Sequence, residues 1–147
     1  MGIFDKLITR KVDANSAESS LEVYSSLTVE QKLAAMNLMT VLGGSCDGSS
    51  SQISKINNIM TENSKNLGLT LGQFNLSRQR FTSLESMLEV LKTVDNKPAM
   101  DALLVQFFRI IAVNRSTEGG LFLMGIYEKL GYTEDQFTKV LENVKKQ

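Results

Sequence analysis

The side chains most suited to chemistry stand in one polar loop, residues 43–51, GGSCDGSSS. It holds Cys46, the single cysteine of the chain, just before a predicted helix start, where a thiolate would gain from the helix dipole. Exposed backbone N–H groups in such a loop can also hold an anion. The chain has no histidine, however, so Ser–His and Cys–His nucleophilic sites are excluded within it. We therefore predict that Cys46 is an incidental thiol and that the chain is not an enzyme.

The same loop departs from two known ligand-binding loops. No lysine follows its second glycine, so it lacks the pattern of a phosphate-binding loop. Counted as an EF-hand from Asp47, it places Gln52 at position six, where glycine is needed, and Asn58 at position twelve, where glutamate is needed. Neither nucleotide binding nor EF-hand calcium binding is predicted.

The composition of the chain limits its possible fold and function. The 147 residues suit one domain with a core of ordinary size. Sixteen basic residues balance sixteen acidic ones, which gives no electrostatic case for nucleic acid binding. One cysteine cannot form an internal disulfide, which fits a reducing, cytoplasmic setting, and the N-terminus lacks the apolar block of a signal peptide.

The helix predicted for residues 99–114 is the element around which we expect the others to pack. Its large apolar side chains fall within roughly 160° of one face, and Pro98 suits its first turn. Gln106 and Arg109 lie on the opposite, small or polar strip, where a second helix can approach. The run is too short and too charged to span a membrane.

Capping patterns place the other helices. Gly131 is predicted to end the helix over residues 121–130. Capping boxes are predicted at three helix starts: Thr28 with Gln31, Ser49 with Gln52, and Thr133 with Gln136. Residues 70–75 are interpreted as a loop, followed by a helix that Ser77 caps and that continues to Val94. No segment alternates with period two, so we predict an all-α fold of six to eight helices.

The N-terminus is treated separately from the domain. Residues 1–11 predict a short basic amphipathic helix and residues 12–20 a linker, which leaves residues 21–147 as the helical domain. The first segment is expected to dock on the domain or to fray. The alternative is contact with a membrane surface.

Two parts of the chain resemble each other and a known family. Residues 33–48, LAAMNLMTVLGGSCDG, and residues 104–114, LVQFFRIIAVN, each close an apolar helix with a polar turn, and a second helix follows. With IYEKLGYTEDQF at 126–137 and the opening MGIFDKL, they resemble the TerB-like family, associated with tellurite resistance and stress response. The resemblance implies a single compact domain of two similar helix–loop–helix units around a central buried helix.

The family resemblance also implies a candidate cation site. Members of the family carry clustered acidic residues, which suggest divalent-cation binding. In this chain, Asp47 and Glu118 would come together if the loops at 43–51 and 114–118 meet. Gln52 or Ser54 stands where the first unit's glutamate is expected, and Asn114-Arg115 replaces Asp-Gly in the second. The alternative is that Asp47 is only a turn or capping residue.

These features predict a non-enzymatic, cytoplasmic helical module that acts through a protein partner, with no cofactor. The alternative is a weak divalent-cation or small-ligand binding protein that uses the two loops. Neither the partner nor the choice between monomer and homodimer follows from the sequence.

Overall fold

The computed structural model describes residues 23–44, 49–113 and 117–145, and these fold into seven α-helices. In chain order the helices are α1 (Val29–Gly44), α2 (Ser50–Asn66), α3 (Leu71–Arg80), α4 (Leu84–Leu91), α5 (Lys97–Ala112), α6 (Thr117–Lys129) and α7 (Glu134–Lys145). The all-α prediction is confirmed. The predicted amphipathic helix at 1–11 and the linker at 12–20 lie outside the described residues.

Two helices, α1 and α5, form the centre of the bundle. Helix α1 packs against α2, α3, α4 and α5, while α5 packs against α1, α2, α6 and α7. The predicted central helix is confirmed as α5, in which every residue from 103 to 111 is buried. Helix α1 shares this role because the small Ala34 and Ala35 are fully buried and let neighbouring helices approach.

Local capping fixes most helix boundaries where the sequence predicted them. The three predicted capping boxes form, with paired backbone and side-chain hydrogen bonds of 2.9 to 3.3 Å. Asn96 caps α5, accepting a 3.1 Å bond from the N–H of Ala99. Gly131 ends α6 with φ +90°, and the N–H of Tyr132 bonds the carbonyl of Tyr127 at 2.9 Å, as in a Schellman motif.

The region between α2 and α4 corrects the sequence interpretation. Residues 71–75 belong to helix α3 and are not a loop, because Thr70 and Gln73 form a further capping box. Ser77 lies inside α3 and does not stand at the start of a helix. The chain is extended at Phe81, and Ser83 caps α4, so the single long helix predicted from Ser77 to Val94 is wrong.

An aromatic contact joins the last three helices. Phe137 of α7 meets Tyr127 of α6, with ring centroids 3.7 Å apart, and Phe108 of α5 at 6.3 Å. The hydroxyl of Tyr127 donates a 2.6 Å hydrogen bond to the carbonyl of Leu104. These contacts bury the polar end of Tyr127 with a partner.

None of the described helices combines the length and the apolar character that crossing a membrane requires.

Candidate functional site

The structure places one of the two predicted cation ligands. Glu118 is exposed in the first turn of α6 and therefore belongs to a helix, which corrects its assignment to a loop over residues 114–118. Asp47 lies outside the described residues, as do Cys46 and the Asn114-Arg115 pair. Whether Asp47 and Glu118 meet stays a prediction.

Metal-ligand clusters can be assessed only where side chains are described. In that part of the chain, no group of three or more Asp, Glu, His or Cys side chains could hold a metal ion. Glu118 alone supplies one carboxylate, and hard cations take six or more oxygen ligands. A cation site at this place would therefore depend on residues 45–48 and 114–116.

A hydrogen bond between the residues that precede α1 and α5 shows how these two helices are oriented. Ser26, just before α1, accepts a 2.8 Å bond from the side chain of Asn96, the cap of α5, so α1 and α5 begin side by side. After a few residues α6 returns along α5, since the hydroxyl of Tyr127 bonds the carbonyl of Leu104. Helix α2 follows α1 and passes its end, since a Cβ at Gly43 would lie 3.0 Å from Ile56. We call α1 with α2, and α5 with α6, the two helical hairpins. Helices α1 and α5 therefore end, and α2 and α6 begin, at the opposite end of the bundle, which we call the junction end.

Large apolar side chains are exposed at the junction end. Four lie within about 8 Å of these helix ends along the helix axes, at about 1.5 Å of rise per residue. They come from three helices: Val41 (37% exposed), Ile53 (48%), Leu121 (67%) and Phe122 (38%). Ser50, Ser51 and Glu118, in the first turns of α2 and α6, are also exposed. An apolar surface with a polar border is typical of a protein-binding site.

A polar cluster lies between α2 and α5, and we call its residues Glu62, Asn63, Gln106 and Arg109 the α2–α5 polar cluster. The guanidinium of Arg109 donates to both carboxylate oxygens of Glu62, at 3.4 and 3.2 Å, and to Oε1 of Gln106 at 2.6 Å. Asn63 donates to the same Gln106 oxygen and to the carbonyl of Ile59, both at 2.9 Å. Its Oδ1 has no hydrogen-bond partner among the described residues.

The geometry of this cluster indicates a role in positioning helices. Asn63, Gln106 and Arg109 are all buried, so the arginine charge is neutralised inside the helix interface. The sequence predicted that Gln106 and Arg109 lie on a small or polar strip, either solvated or facing a second helix. It did not identify Glu62 and Asn63, because that requires knowing which face of α2 meets α5.

Two tyrosines near α5 are held as neutral hydrogen-bond donors. Tyr132 donates a 3.0 Å bond to Asp101, which also pairs with Lys97. Burial, and then the hydrogen bond and negative charge of Asp101, raise the pKa of Tyr132. Burial also raises the pKa of Tyr127 well above its usual value, with a smaller contribution from Tyr132. Neither hydroxyl is prepared to act as a phenolate base or nucleophile.

Sequence patterns alone did not find the exposed apolar group at the junction end. Ile53 fits the apolar spacing of α2 and Leu121 that of α6, so both look like core positions in the sequence. Exposure is decided by which faces the neighbouring helices cover.

Comparison with protein-family models, with curated proteins and with solved structures finds no match to this chain.

Proposed function

We propose that this chain is a non-enzymatic helical interaction module, similar to TerB-like domains, that binds another protein through its junction end in a cytoplasmic stress response. Support for binding comes from the four exposed apolar side chains there, Val41, Ile53, Leu121 and Phe122. The TerB-like setting rests on the sequence resemblance alone.

The apolar character of these four side chains suits a partner with an apolar face. Leu121 and Phe122 are consecutive on α6, and Val41 and Ile53 come from the two helices of the other hairpin. A partner that covers all four would contact both hairpins at once. Aromatic and large aliphatic side chains of this kind supply most of the binding free energy in protein interfaces.

Affinity capture with a matched pair of variants tests this proposal. The test variant is Leu121→Ser with Phe122→Ser, and the control variant is Leu71→Ser, which changes an exposed leucine on α3. A specific partner should be recovered equally by the original chain and the control, and at least about tenfold less by the test variant. The same ratio should appear in titrations with the purified partner.

Three results would count against this surface. They are recovery of no specific protein, equal recovery by all three proteins, and loss of binding in the control alone. Circular dichroism melts of all three proteins show whether each variant is folded. Light scattering shows whether the recovered partner is a second copy of the same chain.

A further inference from the structure

Helix α3 exposes two leucine side chains. None of its described side chains is buried. Leu71 is 78% exposed and Leu76 54% exposed, although α3 packs against the central helix α1. Leucines on a helix in this position normally meet another element.

The start of α1 lies next to this surface. Arg80, at the end of α3, pairs with Glu30 at 3.0 Å, and the neighbouring Val29 is 52% exposed. Leu76 lies one turn before Arg80 and therefore on the same helical face. Val29 and Leu76 thus flank the Glu30–Arg80 pair.

The described chain also begins at this place. Val23 is the first described residue, and Tyr24 and Leu27 are buried in the core just before α1. The 22 residues that precede it therefore join the molecule just before α1, whose Glu30 pairs with Arg80 of α3.

Those residues carry an apolar face of matching character. Ile3, Phe4, Leu7 and Ile8 fall on one side of a predicted helix over residues 1–11, and basic residues stand mostly on the other. Residues 12–22 can span at most about 40 Å when extended, which exceeds the roughly 15 Å length of α3. A tether of this length keeps the segment at a millimolar effective concentration.

We infer that the N-terminal segment of this chain, through Ile3, Phe4, Leu7 and Ile8, docks on the surface formed by Val29 and Leu76 beside the Glu30–Arg80 pair. Leu71 lies about 140° away around α3 and is not part of this surface. The occupant is the chain's own terminus, because it is tethered beside the surface and a separate partner would have to compete with it. This inference is independent of the proposed function, which uses the opposite end of the bundle.

Disulfide trapping in the full-length chain tests this contact. In a Cys46→Ser background, Phe4→Cys is combined with Leu76→Cys, and the control combines Phe4→Cys with Leu121→Cys at the junction end. Docking predicts that the first pair forms an intramolecular disulfide at least about tenfold faster than the control, at micromolar protein. The products are read as monomer or dimer on a non-reducing gel.

Each other outcome overturns the inference. Equal trapping rates in the two pairs would mean that the segment has no preferred site on α3. A faster reaction that gives only crosslinked dimers would assign the surface to a second copy.

Hydrogen exchange provides a test that needs no cysteine. Phe4→Ser with Leu7→Ser should reduce amide protection in α3 by about tenfold and leave α7 unchanged, because only α3 loses its cover. Unchanged protection in α3 would contradict docking. So would binding of the original chain to vesicles of phosphatidylglycerol and phosphatidylcholine that leaves α3 protection unaltered, since the terminus would then be on the membrane.

Discussion

Helices α2 and α6 each follow a long buried helix and each pack against α5, but different chemistry holds them there. Helix α2 meets α5 through the α2–α5 polar cluster, in which Arg109, Gln106 and Asn63 are buried. Helix α6 meets α5 through apolar side chains and the hydroxyl of Tyr127, which bonds the carbonyl of Leu104.

The difference indicates that the α2–α5 contact and the α6–α5 contact have different roles. Buried polar groups lose their hydrogen bonds to water and regain hydrogen bonds within the protein only in one geometry. They therefore favour a single register of the two helices more than they add stability. Apolar contacts add stability and tolerate small shifts. We therefore expect substitutions at α6 to cost more free energy than those at α2, and substitutions at α2 to show stronger coupling between residues.

The largest expected effect is at Tyr127. Tyr127→Ala should lower the free energy of unfolding by about 4 kcal/mol, because the ring is buried against Phe137 and its hydroxyl bond is also lost. Urea denaturation followed by circular dichroism measures this. The control is Phe122→Ala on the exposed side of α6, which should cost less than about 1 kcal/mol. Equal losses at the two positions would mean that α6 is not held by its buried face.

A smaller effect with strong coupling is expected in the α2–α5 polar cluster. Glu62→Gln should cost about 2 kcal/mol, because the charge of Arg109 then remains buried without its carboxylate. Adding Arg109→Met should restore part of that loss, giving a coupling of about 1 kcal/mol in a double-mutant cycle.

The exposed Glu30–Arg80 pair provides the control for this cycle. Arg80→Met should change the free energy of unfolding by no more than about 0.5 kcal/mol, since both side chains are more than half exposed. Additive losses at Glu62 and Arg109 would show that the buried pair has no more influence than this surface pair.

The smallest effects are expected at two helical glycines, one in each hairpin. A Cβ at Gly125 in α6 meets nothing within 4 Å, so Gly125→Ala should stabilise by up to about 1 kcal/mol. A Cβ at Gly43 in α1 would lie 3.0 Å from Cγ2 of Ile56 in α2. Gly43→Ala should therefore gain less or destabilise, as thermal melts of the two variants would show. A larger gain at Gly43 would mean that α2 can move away from α1.

Local signals account for most of what the sequence predicted correctly. The capping boxes at Thr28, Ser49 and Thr133 and the glycine at 131 act within a few residues, so they can be identified without knowing the fold. The apolar run of α5 was equally clear. The capping box at Thr70 and Gln73 was also present, but α3 lacks an apolar stripe, and its helix was therefore missed.

The candidate sites depend on contacts that a sequence does not display. Glu62 and Asn63 look like surface residues of α2 until α5 is placed against them. Leu121 looks like a core residue until the faces of α6 are assigned. The predicted pairing of Asp47 with Glu118 stays a prediction, because Asp47 lies outside the described residues.

The shared starting point of α1 and α5 has a consequence for how this chain can change in length. Helix α5 begins beside the residues that precede α1, because Asn96 bonds Ser26. Residues 67–96 therefore run from the end of α2 back to the start of α1. Insertions at the exposed turns of this excursion would lengthen it without shifting α2 against α5. Homologous chains that differ in length are therefore expected to differ within residues 67–96. A foreign peptide could be inserted at the same turns.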